Sequence, residues 1–258
     1  MSAEGPTARV DHRAAIAELL ALWENQARDK VTVRTDLANQ MTPLLIRGLT
    51  AHAADSARAV LTLYRASQPV AAVPIVRAVM EDALTAAWLL AEPDASRSFV
   101  SYGVTQRKLA LRELLLRGAG DSHAAITARL EECRELIEQL DTPKGHLIEQ
   151  RFRSLDGGDG GLYLAYRLAS QLSHASPSIV DLYLAADERA PQGVVLRPHA
   201  AHDTAAMWIS FTAMNLLHAL TVWDICRVGR PDQGQLEAIG DLLGLRTKYA
   251  VATVPPEG

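Results

Sequence analysis

The run Tyr163-Leu164-Ala165-Tyr166-Arg167-Leu168-Ala169-Ser170-Gln171-Leu172-Ser173-His174-Ala175-Ser176-Pro177-Ser178 is made of helix formers and stops at a proline. Steps of four, three and four put Tyr163, Arg167, Ser170 and His174 on one face, because side chains at i, i+3, i+4 and i+7 stack above one another on a helix. That face is polar on an otherwise apolar helix. Pro177 ends the run, since the residue before a proline is pushed out of the α region, and Ser176 is left to cap the next helix. An arginine, hydroxyls and a histidine therefore converge beside a helix break.

The chain outside this stretch reads as a helical scaffold. Its 258 residues are 48% hydrophobic, mostly Ala and Leu, with only 5% aromatics, a balance that favours helices over sheets. The length is enough for a sizeable core. A net charge of -4 gives no global attraction to nucleic acid or to an anionic membrane. Lysine occurs only at Lys30, Lys108, Lys144 and Lys248, so arginine supplies nearly all the positive charge. Cys133 and Cys226 lie far apart and fit no metal or disulfide spacing, which suits reduced thiols in the cytoplasm. Residues 1 to 9 lack the pattern of a signal peptide. Thr204 to Trp223 holds no Asp, Glu, Lys or Arg, yet it is interrupted by Ser210, Asn215 and His218 and has no basic flank. A buried core helix, with no membrane partner, is the expectation.

Taken in order, the sequence predicts a disordered tail over 1–10, one helical domain over 11–248 and a second tail over 249–258. Asp11 caps a helix running to about Arg28. A second runs from Thr35 or Asp36 to about Ser67, bent near Pro43. The next, about Val73 to Ala91 with Pro74 in its first turn, is apolar almost all round and should be central, although it carries Arg77 and Glu81 at i,i+4. Two oppositely charged helices come after it. Arg97, Arg107, Lys108, Arg112 and Arg117 lie on one (about 95–117), and Glu131, Glu132, Glu135 and Glu138 on the other (to about 140), so an antiparallel hairpin with partly compensating charges is expected. A short helix over about 143–155, a flexible glycine loop over 156–161, the opening stretch, a helix from Pro177 to about Ala186, and helices over about 200–228 and 232–245 complete nine or ten. No segment alternates with strand period, and the fold class is an all-α multi-helix bundle.

Arg77-x3-Glu81 on the apolar helix and Tyr166-x3-Ser170-x3-His174-x-Ser176 much later resemble a broad bacterial family of all-helical proteins of unknown function. The resemblance spans about residues 50–185 and implies a fold, with Arg77, Glu81, Tyr166 and His174 meeting in one buried polar cluster and Ser170 beside it. Such a cluster is either a ligand site or a satisfied network that fixes helix register. Separately, Arg167-x6-His174 resembles the motif of the HEPN superfamily of helical bundles, which includes metal-independent ribonucleases of toxin and defence systems. That resemblance implies Arg167 as phosphate clamp and His174 as acid–base group, in a site often completed across a dimer. The departure from it is Leu168, where a polar residue is usual.

Other chemistry is sparse. His199, His202 and Asp203 sit near one turn but lack a further ligand, and His146-x2-Glu149 is weaker, so no metal and no cofactor are expected. The glycine loop lacks the Lys and Ser/Thr of a phosphate-binding P-loop. Two functions of different class emerge: a binding or regulatory module built round Arg77, Glu81, Tyr166 and His174, or a HEPN-like ribonuclease using Arg167 and His174. A homodimer is expected, with a small molecule or RNA as ligand. The ribonuclease needs Arg167 and His174 exposed in a basic cleft, whereas the binding module needs the cluster around Glu81 closed to bulk solvent.

Overall fold

The computed structural model describes residues 10–28, 31–118, 122–140, 148–155, 161–245 and 249–253. Among them are ten helices and one two-stranded sheet, so the architecture is an all-α multi-helix bundle. In chain order the helices are α1 (His12–Arg28), α2 (Thr42–Arg65), α3 (Pro69–Ala91), α4 (Ala95–Leu116), α5 (His123–Leu140), α6 (Ile148–Leu155), α7 (Gly161–Gln171), α8 (Pro177–Asp181), α9 (Ala205–Ile225) and α10 (Gln233–Leu242). The strands β1 (Leu184–Ala186) and β2 (Val194–Leu196) pair antiparallel between α8 and α9.

The centre is α3 lying between α2 and α9. Helix α3 buries Val73, Val76, Met80, Trp88, Leu89 and Leu90, and α9 buries Trp208, Leu216, Leu220 and Trp223. Ile16 and Leu19 of α1, Phe152 of α6, Tyr166 of α7 and Ile239 of α10 join the same apolar cluster. A helix apolar on all sides has no face to give to water, so it becomes the axis the others surround. Helix α9 is long and apolar enough to cross a bilayer by length and composition, and over half of it is buried against neighbouring helices.

Several boundaries depart from the sequence reading. Helix α2 begins at Thr42 rather than Thr35, and Pro43 sits in its first turn instead of bending it. Residues 31–41 are irregular because their backbone is claimed from elsewhere. Val33 bridges Arg227, Leu37 bridges Thr253, and the Ala38 amide donates to the Ala252 carbonyl at 3.0 Å. Helix α3 starts at Pro69, so Pro74 is internal. Its missing N–H and ring stay at an exposed position one turn in, where water can satisfy the freed carbonyl. The helix after Pro177 stops at Asp181, and the chain then makes the hairpin that no alternation announced. Three-residue strands are too short to show a period of two. The Asp187 amide reaches the Gly193 carbonyl at 2.9 Å, and Gly193 takes φ +70°, which closes that hairpin. The expected tail over residues 1–9, the glycine loop over 156–160, the start of the helix expected from Pro143 and His146 lie outside the described residues.

Candidate functional site

Arg77 and Glu81 are one turn apart on α3, and Arg77 Nη2 lies 2.8 Å from Glu81 Oε1. The same nitrogen donates to the Tyr166 hydroxyl on α7 at 2.9 Å, and the guanidinium lies over the Tyr166 ring at 5.1 Å. Its other terminal nitrogen, Nη1, is 3.0 Å from His174 Nε2. A guanidinium can only donate, so Nε2 must accept, and the imidazole in this contact is neutral with its proton on Nδ1. Arg77 thus ties α3 to α7 and to the turn beyond it. Burial works against the Arg77 charge, but Tyr166 and Glu81 outweigh it and the net direction of its pKa is up. Burial likewise pushes the Tyr166 phenol up, against the pull of Arg77.

The local sequence explains how His174 gets there. Helix α7 ends at Gln171, because the Ser176 hydroxyl donates to the Gln171 carbonyl at 2.6 Å and satisfies the end of the helix. Ser176 also caps α8, accepting from the Ile179 amide at 3.4 Å. His174 therefore lies in the turn between two helices, off the helical face on which the sequence places it. Tyr166 reaches Arg77, while Tyr163 does not share that bond. Ser170 donates to the Tyr166 carbonyl at 2.9 Å, so its hydroxyl serves its own helix.

The cluster is open. Arg77 and Glu81 keep 24% and 36% of their side-chain surface in solvent, and His174 is exposed, which corrects the expectation of a closed network. With it goes the requirement that a binding module keep Glu81 from bulk solvent: a ligand can reach these side chains because they are open. Arg77, Glu81 and Tyr166 form one wall of a cleft of about 450 Å³, completed by Tyr102, Ile148, Glu149, Arg151 and Tyr163. The ring of Phe152 packs behind Tyr166 at 4.8 Å and fixes that wall.

Arg151 carries no signal in the sequence. It is buried on α6, with its guanidinium 4.8 Å from the Trp88 ring, 5.5 Å from Phe99 and 6.0 Å from Tyr102. Nη1 lies 3.4 Å from the Thr85 hydroxyl. Burial pushes its pKa down, while Tyr102 and Glu81 hold it up. The cleft therefore presents two guanidinium groups and two carboxylates within one small volume.

Arg167 and His174 are both exposed, but they have different partners. Arg167 is held by the Tyr163 hydroxyl, which raises its pKa, whereas His174 turns to Arg77. Neither lines the cleft. His202 accepts from the Trp208 indole at 2.7 Å, which occupies its Nε2 in packing. A larger hollow of about 810 Å³ lies between the starts of α1, α3 and α9. Two of its polar groups are spent locally: Asp11 accepts from the amides of Arg13 and Ala14, and the Tyr64 hydroxyl donates to the Ala205 carbonyl. Convergent chemistry, not volume, identifies the smaller cleft as the candidate site.

Next to Glu81, Asp82 is buried and pairs with His52 Nδ1 at 2.6 Å. Burial raises its carboxyl to about 6, His52 opposes the rise and Glu81 adds to it. A carboxyl whose folded pKa exceeds its ordinary value of 3.8 favours the protonated fold, and that contribution is lost as pH rises from 3.8 towards 6. Asp82→Asn cannot titrate. Its stability relative to the wild type should grow by about 1–2 kcal/mol between about pH 4 and pH 6.5 and then level off, as read by urea unfolding at each pH. A difference that stays flat would remove Asp82 as the titrating group.

No curated protein and no solved structure matches the chain. A family model does match, over residues 44–191, a span that holds Arg77, Glu81, Arg151, Tyr166 and His174 but not α1, α9 or α10. The chain belongs to the family of unknown function DUF5677.

Proposed function

We propose that the chain is a binding module for a small zwitterionic molecule, seated in the cleft between α3, α4, α6 and α7. The observation that supports it is the side-by-side placement of Arg77, Arg151, Glu81 and Glu149 on the walls of an open cleft of about 450 Å³. That volume falls among clefts that hold small ligands, roughly 300–1,000 Å³. Opposite charges already close together repel a ligand of one sign and suit a ligand that carries both. The phenols of Tyr102, Tyr163 and Tyr166 add flat apolar surface with polar edges. Against the ribonuclease reading, Arg167 and His174 have different partners, and Arg77 occupies the His174 Nε2.

The test is a thermal-shift and calorimetric screen with free α-amino acids as zwitterions, against inorganic phosphate and mononucleotides as anions. A zwitterion should raise the melting temperature, with binding weakened about tenfold or more in Glu81→Gln, which keeps the shape and removes one charge. A response to the anions alone would overturn the reading. So would cleavage of a mixed-sequence RNA in EDTA that disappears in Arg167→Ala and His174→Ala while both variants stay folded.

A further inference from the structure

The hairpin of β1 and β2 is a sheet of two strands, and β2 is its open edge. Val194, Val195 and Leu196 are 40%, 40% and 82% exposed, whereas Leu184 and Ala185 on β1 are partly covered. The Arg197 amide donates to the Tyr183 carbonyl at 2.7 Å and the Asp187 amide to the Gly193 carbonyl at 2.9 Å. The hydrogen-bonded pairs of this antiparallel ladder are therefore 183 with 197, 185 with 195 and 187 with 193. By the same alternation, the amides and carbonyls of Val194 and Leu196 point away from β1. Among the described residues nothing takes them. Proteins ordinarily blunt such an edge with charge or cover it, and here its three residues are all apolar. Gly193, at φ +70°, and Pro198 bound the edge on either side.

We propose that this edge pairs with the same edge of a second copy of the chain, antiparallel about a two-fold axis at Val195. Register and charge together identify the occupant. With Val195 opposite itself, Val194 of each copy faces Leu196 of the other, and their outward groups close two rings of two hydrogen bonds. An axis at Val194 or at Leu196 closes only one ring within β2. The two hairpins become one sheet of four strands, with Leu196 packed beside Val194 of the second copy.

The same register sets Arg197 of one copy beside Gly193 of the other. Directly paired residues share a face of the sheet, so Arg197, Gly193 and Asp187 lie in one row across the strands. Gly193 has no side chain to block that row, and the guanidinium can cross it to Asp187 and Glu188, one further strand spacing of about 4.8 Å away. The hairpin loop holds these two carboxylates against the single guanidinium of Arg189. Asp187 accepts from the Arg189 amide at 2.9 Å, and among the described residues neither carboxylate nor Arg197 has an ion pair. Any strand could match the backbone groups. The hairpin of this chain also matches the charge, and the two-fold axis repeats the match.

Sedimentation velocity of the full chain should pass from a one-chain to a two-chain particle between about 10 and 500 μM, the range expected of a short interface. Over the same range hydrogen exchange should slow at the amides of Val194 and Leu196 but not at Val195, whose amide is already bonded within the hairpin. Leu196→Pro removes one outward donor and nothing from the ladder with β1, and an edge strand tolerates proline. It should sediment as one chain with unchanged circular dichroism. Charge reversal supplies an independent arm of the test. Arg197→Glu and, separately, Glu188→Arg should each dimerise at least about threefold more weakly, and an equimolar mixture of the two should form a mixed dimer of wild-type affinity. A wild type that stays one chain, a Leu196→Pro variant that still dimerises, or reversed variants that fail to pair when mixed would each overturn the proposal.

Discussion

Arg77→Ala should lower stability by about 2–3 kcal/mol, or about 5–10 °C in melting temperature for a chain of this size. Three groups lose their partner at once, but they do not weigh equally. Glu81 and His174 retain access to water and re-solvate, so little is lost there. Tyr166 is buried, and its hydroxyl loses its donor and keeps only its bond to Glu81, at about 1–2 kcal/mol. The stacking of the guanidinium on the ring adds about 0.5–1 kcal/mol. Arg77→Lys should recover less than half of the loss, because one ammonium cannot reproduce a planar fork that serves Glu81, Tyr166 and His174 together. Tyr166→Phe separates the causes: it removes the hydroxyl and the unmet acceptor with it, and should cost under about 1 kcal/mol. If it costs as much as Arg77→Ala in urea unfolding, the bond itself outweighs the unmet acceptor.

The residues of this cluster were legible in the sequence because each sits on a pattern that has a physical cause. Arg77 and Glu81 are one helical turn apart in an apolar run, and charges placed so must find partners. Pro177 and Ser176 mark a helix end by chemistry that acts within five residues. The point the sequence misjudged is where α7 ends. Helical periodicity carries His174 onto the face of Arg167, but the Ser176 hydroxyl takes the Gln171 carbonyl and turns His174 towards α3 instead. Arg151 was illegible for the opposite reason. Its cage is Trp88 from α3 and Phe99 and Tyr102 from α4, and nothing within a turn of Arg151 in the sequence distinguishes it from a surface arginine. The segment 31–41 shows the same limit: the helical pattern expected from Thr35 or Asp36 loses to backbone partners at Ala252 and Thr253, far along the chain.

That segment also brings in the corner with the largest expected effect. Asp224, with no exposed surface at the end of α9, accepts from the Asp232 amide at 3.1 Å and faces Arg227 and Arg230 at 3.6 Å each. Arg227 is itself buried and also pairs with Asp232, while the neighbouring Cys226 carbonyl receives the Arg34 amide at 2.9 Å. One carboxylate thereby fixes the turn from α9 into α10 and the strap of residues 31–37 laid against it. Asp224→Ala should cost about 2–4 kcal/mol, because it leaves the Asp232 amide without its acceptor and the buried Arg227 with Asp232 as its one remaining carboxylate. Asp224→Asn should cost less, about 1–2 kcal/mol, and the direction of the Asp224 pKa says why. Burial raises it despite both arginines, so the charged form is already held at a loss, and an uncharged acceptor of the same shape keeps the Asp232 amide satisfied. Urea unfolding of the two variants decides between the roles. A large gap between them makes Asp224 a hydrogen-bonding brace; equal losses would make its charge, rather than its shape, the feature that holds the corner.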